Sequence, residues 1–183
     1  MDMQFSLFRQ NDFKLLVFDK SSTNLIQWVP SVSYWQPANI NKSRRQGVKG
    51  IYSFALTKIP VTGFINYTYN FSEDESTGEQ LLYTPRHSAG LNLDYTAKKW
   101  QLHYQAYFTD DRISRYSWPQ NVTIEKVLEH TVGISYDFNF KLGTISNSFL
   151  IENLTDENYE TIKGYPEPGR TFKYRIQYYI NQP

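Results

Sequence analysis

The sequence predicts an all-β protein, namely an antiparallel, transmembrane portion of a β-barrel with about nine strands. Three observations predict this fold. Apolar and polar side chains alternate along most of the 183 residues, as they do in strands whose two faces meet different surroundings. Aromatic residues make up 17% of the chain although its mean hydropathy is −0.57, which suits strands with lipid on one side and water on the other. Finally, short and long connections follow each other in turn.

The clearest alternation lies at the C-terminal end of the chain. One face of this segment carries Phe172, Tyr174, Ile176, Tyr178 and Ile180, and the other carries Lys173, Arg175 and Gln177. A helix would distribute these side chains around its circumference, whereas a strand separates them into two faces. The same pattern predicts strands at Ala89–Tyr95, Trp100–Phe108, Val132–Phe138 and Ile65–Phe71. Less regular patterns at Phe5–Leu7, Phe13–Trp28, Val48–Leu56 and Ile145–Ile151 complete the nine strands.

The connections alternate in length. Short links are expected at Gln10–Asp12, Thr57–Ile59, Ala97–Lys99 and Asn139–Leu142, and long ones at Val29–Pro37, Glu73–Leu81, Asp111–Val127 and Asn153–Arg170. Bacterial outer-membrane barrels have short periplasmic turns and long extracellular loops, so the long connections are assigned to the outside of the cell. The alternative is a soluble antiparallel sheet whose apolar face packs on a second sheet. Strand lengths near the ~9–11 residues that cross a membrane, and apolar rows rich in Tyr and Trp, favour the barrel.

The composition argues against several classes of site. The chain has no Cys, which removes disulfides, thiolate metal sites and Cys nucleophiles. Its 19 basic and 18 acidic residues are spread along the chain, and the densest basic group, at 42–45, is too small for a nucleic-acid surface. His87, His103 and His130 lack the spacing of metal ligands, although strand pairing across the 97–99 turn could bring His87 near His103. We expect no enzyme activity, no metal and no cofactor.

Five aromatic residues in the long connections are the candidate ligand contacts: Trp28, Tyr34, Trp35, Tyr116 and Trp118. Rings at the mouth of a barrel offer a large contact area and lose little side-chain entropy when a ligand binds. The alternative is that these rings anchor the barrel at the outer membrane interface, where aromatic belts occur. Trp28 directly ends a predicted strand, which favours the anchoring role.

The final thirty or so residues resemble a known family. Residues 153–159 are similar to the Asn-Leu-(polar)-Asp-x-x-Tyr motif of TonB-dependent outer-membrane receptors, and residues 164–170 to their Gly-Tyr-Pro-x-Pro-Gly-Arg segment. The matching residues are Asn153, Leu154, Asp156, Tyr159, Gly164, Tyr165, Pro166, Pro168, Gly169 and Arg170. Upstream, 24–28 and 40–48 resemble paired strands of the same barrels. Two departures are Lys49, where the family usually has Glu, and the non-aromatic end at Pro183.

The resemblance implies a 22-stranded barrel around a plug domain, of which residues 1–183 would be the C-terminal part. The plug and a signal peptide are expected to be absent, since Met1–Gln4 shows no basic region followed by an apolar stretch. The implied function is active uptake of a scarce nutrient, such as a siderophore, cobalamin or a glycan, through the outer membrane of a Gram-negative bacterium. The implied partners are outer-membrane lipid, the substrate, the TonB complex through the plug, and the barrel-assembly machinery through the last strand.

Two other functions stay open at this stage. One is a complete small outer-membrane barrel that acts as a pore or adhesin, and the other is a soluble β-sandwich binding module. Both share the strand alternation with the receptor. Whether the apolar rows face lipid or a second layer of the same molecule separates the sandwich from the two membrane proteins.

Overall fold

The computed structural model describes residues 2–8, 11–31 and 34–180. In chain order the strands are β1 (Asp2–Phe8), β2 (Asn11–Pro30), β3 (Trp35–Ala55), β4 (Val61–Asp74), β5 (Glu79–Gln80), β6 (His87–Ala97), β7 (Trp100–Thr109), β8 (Arg112–Arg115), β9 (Val122–Ile124), β10 (Val127–Phe140), β11 (Gly143–Glu152), β12 (Glu160–Ile162), β13 (Tyr165–Pro166) and β14 (Thr171–Ile180). No helix in these ranges is long and apolar enough to cross a membrane.

The long strands form one antiparallel sheet in the order β1-β2-β3-β4-β6-β7-β10-β11-β14. Each long strand therefore pairs with the next long strand along the chain. The short strands belong to the connections: β5 pairs with the end of β4, β8 pairs with β9, and β12 pairs with β13. The prediction of nine antiparallel strands is confirmed for the described part of the chain.

The register places the apolar rows of neighbouring strands on the same face. Tyr174 of β14 is opposite Phe149 of β11, and Phe149 is opposite Ile134 of β10. Ile134 is in turn opposite Leu102, and Leu102 is opposite Tyr95. The neighbouring row on the other face contains Arg175, Ser148, Ser135, Gln101 and Thr96. Since a slip of one residue would exchange the two faces, this register keeps one face of the sheet apolar and the other polar.

The apolar face is not covered by another part of the described chain. Ile176, for example, is 62% exposed, and its neighbours Phe172 and Tyr174 are exposed as well. An apolar surface of this extent marks a membrane or protein interface. No second sheet packs on this face within the described residues, which disfavours the soluble sandwich as their architecture. The buried apolar residues lie instead at or near the end where the long connections meet: Ile40, Leu81, Leu82, Ile124 and Val127.

The prediction of a long connection at Val29–Pro37 was wrong. Strand β2 continues to Pro30 and β3 begins at Trp35, with Pro30 opposite Trp35 and Trp28 opposite Pro37. Pairing between β3 and β4 starts only at Ser43, so the strand ends beyond it form a two-stranded ribbon, defined here as residues 25–30 and 35–40. Prolines suggest a loop in the sequence, but a residue on the edge of a ribbon needs no donor for a further strand.

Most other connections follow the prediction. The links at residues 98–99 and 141–142 are tight turns, and the long connections run through residues 75–86, 110–126 and 153–170. The second long connection begins after the predicted Glu73 because β4 continues to Asp74. The link predicted at Gln10–Asp12 lies partly outside the described residues. The end of the chain at Pro183 lies entirely outside them.

Candidate ligand-binding cleft

The long connections and the ribbon meet at one end of the sheet, referred to here as the loop end. Gln27 of the ribbon donates from Nε2 to the carbonyl oxygen of Leu82 at 3.1 Å. The next residue, Tyr83, donates its backbone N–H to the carbonyl oxygen of Ile113 at 2.8 Å. Arg112 then donates from Nη2 to the carbonyl oxygen of Glu160 at 3.1 Å. These bonds join the ribbon and all three long connections in sequence.

Short hairpins give the long connections a defined shape. In the β8–β9 hairpin, Ser114 and Ile124 are buried, and the Ser114 hydroxyl donates to the carbonyl oxygen of Val122 at 3.0 Å. In the β12–β13 hairpin, Gly164 turns the chain with φ 85°, a conformation that glycine adopts without steric cost. Tyr116 braces two connections, because its hydroxyl donates to the carbonyl oxygen of Gln80 at 2.5 Å.

The ribbon and two of these connections enclose a cleft of about 560 Å³, which is within the range of small-molecule sites. We call it the aromatic cleft. It is lined by Gln27, Trp28, Trp35, Tyr83, Ile162 and Tyr165. The rings of Trp35 and Tyr83 lie 5.6 Å apart between centroids with an interplanar angle of 47°. Trp28 and Tyr165 are 60% and 62% exposed, so the cleft can be reached from solvent.

The described lining of the aromatic cleft carries no ionised side chain at neutral pH. Its titratable residues are Tyr83 and Tyr165, and burial raises the pKa of the Tyr83 phenol. The Lys163 backbone and the Ser114 hydroxyl lower the same pKa but do not cancel the effect of burial. Since an ordinary phenol has a pKa of ~10, a further rise keeps the Tyr83 hydroxyl protonated and uncharged at neutral pH.

The five aromatic candidates lie in different places and make different contacts in the structure. Trp28 and Trp35 line the aromatic cleft, whereas Tyr116 is engaged as a brace between connections. Tyr34 is exposed next to the ribbon, and Trp118 is 94% exposed at the tip of its connection. The sequence did not predict Gln27, Tyr83 or Ile162 as lining residues, and Tyr165 was noted only for its motif. Tyr83 follows two leucines in a polar connection, which is the one local signal that could have drawn attention to it.

The motif residues that flank the β12–β13 hairpin form its base, whereas Gly164, Tyr165 and Pro166 lie within the hairpin. Asn153 is buried, its Oδ1 accepts the backbone N–H of Glu157 at 2.9 Å, and its Nδ2 donates to the Glu157 carbonyl at 2.9 Å. Asp156 Oδ1 accepts the backbone N–H of Arg170 at 2.7 Å, and Arg170 Nε donates to the carbonyl oxygen of Leu154 at 3.0 Å. The two ends of the connection are thereby tied together, which places Ile162 and Tyr165 at the cleft.

Gly169 and Tyr159 complete this base. A Cβ atom at Gly169 would lie 2.8 Å from Asp156 Oδ1, so a side chain at this position would displace the Asp156 carboxylate from its contact with Arg170. The Tyr159 hydroxyl donates to Glu129 Oε2 at 2.5 Å, and Glu129 is on the polar face of β10. Burial and the adjacent Glu129 raise the pKa of Tyr159, which keeps its hydroxyl a donor. The hairpin is therefore held to the sheet as well as to itself.

The histidines do not converge. Register places Ser88 opposite Thr109 and His103 opposite Asp94, so the predicted approach of His87 to His103 across the turn was wrong. His103 instead contacts Asp94 at 2.8 Å between Nδ1 and Oδ1, while His87 Nδ1 lies 2.6 Å from the Tyr67 hydroxyl. Within the described ranges, no three histidine or carboxylate side chains are grouped as a metal site requires.

The basic group at 42–45 is paired with carboxylates from neighbouring segments. Lys42 contacts Glu75 at 2.6 Å, and Arg44 contacts Asp19 at 2.7 Å. Arg44 donates two hydrogen bonds to the same carboxylate, from Nε and Nη2. These contacts partly neutralise the group, so it does not form the continuous basic surface that nucleic acid would need.

Comparisons with known proteins agree with this architecture. A family model described as "TonB dependent receptor-like, beta-barrel" matches residues 4–165. A vitamin B12 transporter, BtuB, from Photobacterium profundum is 25% identical over 167 residues, which is 88% of this chain and 26% of the relative. The BtuB protein of Vibrio cholerae is 24% identical over 180 residues, which is 95% of this chain and 28% of the relative. The chain thus spans little more than a quarter of the length of these relatives.

Solved structures show the same fold. The copper transporter OprC superposes with a TM-score of 0.75 at 17% identity, covering 96% of this chain and 29% of that one. The siderophore receptor PirA from Acinetobacter baumannii also gives a TM-score of 0.75 at 17% identity, covering 96% and 30% of the two chains. The named relatives are transporters and receptors.

Proposed function

Because the chain belongs to the family of TonB-dependent receptor β-barrels, we propose that it forms wall and extracellular loops of a receptor for nutrient uptake across the outer membrane of a Gram-negative bacterium. The observation that carries this proposal is the single sheet, apolar on one face and polar on the other, with ordered loops at one end. Such a sheet suits a wall between lipid and a water-filled lumen. The loops at its end suit capture of a solute from outside.

We propose that the aromatic cleft is where the nutrient first binds. The names of related proteins include vitamin B12, siderophores and copper as cargo, and a nutrient of this kind is the proposed substrate; a glycan is a further candidate. Trp28 and Trp35 would contact it inside the cleft. Tyr34 and Trp118, which are exposed at the same end of the sheet, would make contacts outside the cleft, and Tyr116 would hold the loops in place.

The proposed partners follow from the same assignment. Residues 1–183 would correspond to the C-terminal part of the receptor barrel, with a plug domain outside them through which the TonB complex supplies energy. The coverage of 26% and 28% of two relatives supports a piece of a larger barrel, and the C-terminal position is proposed from the motif at 153–170. Strand β14 would be the part recognised by the barrel-assembly machinery, because it lies at one edge of the described sheet.

Uptake measurements in the natural host test the proposal. Deletion of the coding sequence should abolish accumulation of one nutrient among cyanocobalamin, a panel of ferric siderophores, copper and oligosaccharides. Loss of TonB in the parent strain should abolish uptake of the same nutrient, and a plasmid copy of the gene should restore it. Normal accumulation of every nutrient in the deletion strain would contradict the proposal. Uptake that needs this gene but not TonB would instead support a passive pore.

A further inference from the structure

Two clefts at the loop end differ in the chemical character of their linings. The aromatic cleft has four rings, one aliphatic side chain and one amide in its lining. The second cleft, of about 390 Å³, contains five charged residues in its lining: Glu125, Lys126, Glu157, Glu160 and Lys163. Both clefts include residues from the 153–170 connection. A ligand that arrives at the loop end therefore meets two neighbouring surfaces that select for different chemistry.

We propose that the ligand part bound in the aromatic cleft is an uncharged, planar ring system of a small molecule; this rests on the proposed function. An ionised group moved into this lining would lose water without gaining an opposite charge, and such a transfer is unfavourable. A neutral ring loses little hydration and can stack on the rings present. An anionic or cationic ligand would bind better in the second cleft, where both signs of charge are available.

The arrangement of the rings supports a flat occupant. Trp35 and Tyr83 already contact each other at 5.6 Å, so they act as one preformed wall. Trp28 and Tyr165 lie at the opening with most of their surface exposed. A flat ring that enters the cleft would cover aromatic surface of this lining. Offset stacking and edge contacts of this kind add to the free energy of burial.

Gln27 adds one polar preference to the site. Its Nε2 is occupied by the carbonyl oxygen of Leu82 at 3.1 Å, which orients the amide at the cleft. Its Oε1 can still accept a hydrogen bond, because an amide oxygen has two lone pairs. A ring system with an N–H or O–H donor at its edge is therefore favoured over a pure hydrocarbon. The expected class is a neutral aromatic or heteroaromatic ring with one donor group.

A matched set of probes tests this class on the complete receptor in detergent. The probes are 1-naphthaleneacetamide, 1-naphthaleneacetate and 1-naphthylmethylammonium, which share one ring system and differ in charge. Calorimetric titration at pH 7 should show the amide binding about tenfold more tightly than either ion, because only the ions must lose strong hydration. Its affinity should change less than about twofold between ~50 and ~500 mM salt. Equal or tighter binding of an ion, or no binding of any probe, would overturn the inference.

Three substitutions test whether the probes bind in the aromatic cleft. Tyr165→Ala at the exposed rim should weaken amide binding about tenfold, in the range found when stacking aromatics are removed. Gln120→Ala, at an exposed residue outside the cleft, should leave binding unchanged. Ile162→Lys should reverse the preference and favour the acetate, since it adds a cation to the lining. Unchanged selectivity in Ile162→Lys would show that the probes bind elsewhere and would refute the assignment to this cleft.

The uptake assay distinguishes this inference from the function on which it rests. If uptake depends on TonB and on this gene but the cleft prefers charged probes, the ligand class is wrong and the receptor function stands. If the neutral probe binds as described but no nutrient depends on the gene, the receptor function fails instead.

Discussion

The sheet and the loop end are stabilised in different ways. In the sheet, each residue of β14 from Thr171 to Ile180 has a partner in β11, and the pattern of side chains repeats from strand to strand. At the loop end, specific polar contacts such as that of Tyr116 with Gln80 join segments that share no regular register. The difference indicates that the sheet depends on residue type at alternate positions, whereas the loop end depends on particular atoms.

The largest effect is expected from a substitution that breaks the alternation of apolar and polar residues in the sheet. Ile134 is on the apolar face near the middle of β10, so Ile134→Arg should destabilise the receptor by about 2–4 kcal/mol, the cost of a cation facing lipid at mid-depth. Gln105→Arg, on the polar face of β7, should cost less than about 0.5 kcal/mol. The measurement is reversible unfolding of both variants in lipid bilayers. Equal destabilisation by the two arginines would show that the faces are assigned incorrectly.

An intermediate effect is expected at the base of the β12–β13 hairpin. Asn153→Ala removes an amide that bonds to both backbone groups of Glu157 and leaves them without these partners. The local cost should be about 1–3 kcal/mol, seen as faster amide exchange in residues 153–170 with little change in β10 or β11. Asn158→Ala, at an exposed residue in the same connection, is the control and should not accelerate exchange. Uniform acceleration across the sheet would mean that the two regions are not independent.

The smallest effect concerns pH. The Lys163 side chain and the Gly164 backbone amide hold the pKa of the Glu160 carboxyl below its usual value, so the folded hairpin favours the charged form. The charged Glu160 carboxylate therefore contributes to the stability of the hairpin above the unfolded pKa of ~4.3. This contribution is lost as pH falls through the lower pKa of the folded state. Amide exchange at Gly164 should therefore increase, relative to neighbouring loops, as pH falls below ~4.3. This excess should be absent in Glu160→Gln.

The predictions from sequence succeeded where structure depends on near neighbours. The apolar rows at 172–180 and 132–138 recur at every second residue of the sequence. The strand register confirmed that the two rows lie on the same face of the sheet. The ribbon was missed because Pro30 and Pro37 resemble loop signals, while their position on a two-stranded edge requires no further donor. Gln27, Tyr83 and Ile162 were missed for another reason. Gln27 and Ile162 are 135 residues apart in the chain, and no local pattern links either of them with Tyr83.

Alternation in the sequence was sufficient to establish the strands, their approximate number, and which side chains share a face, because a strand places successive residues on opposite sides. The short motif at 153–170 likewise identified a tightly turned connection from its own residues. The aromatic cleft was decided by the folded chain alone. Its walls come from three segments whose approach depends on the register of the whole sheet and on hydrogen bonds between loops, such as that of Gln27 with Leu82.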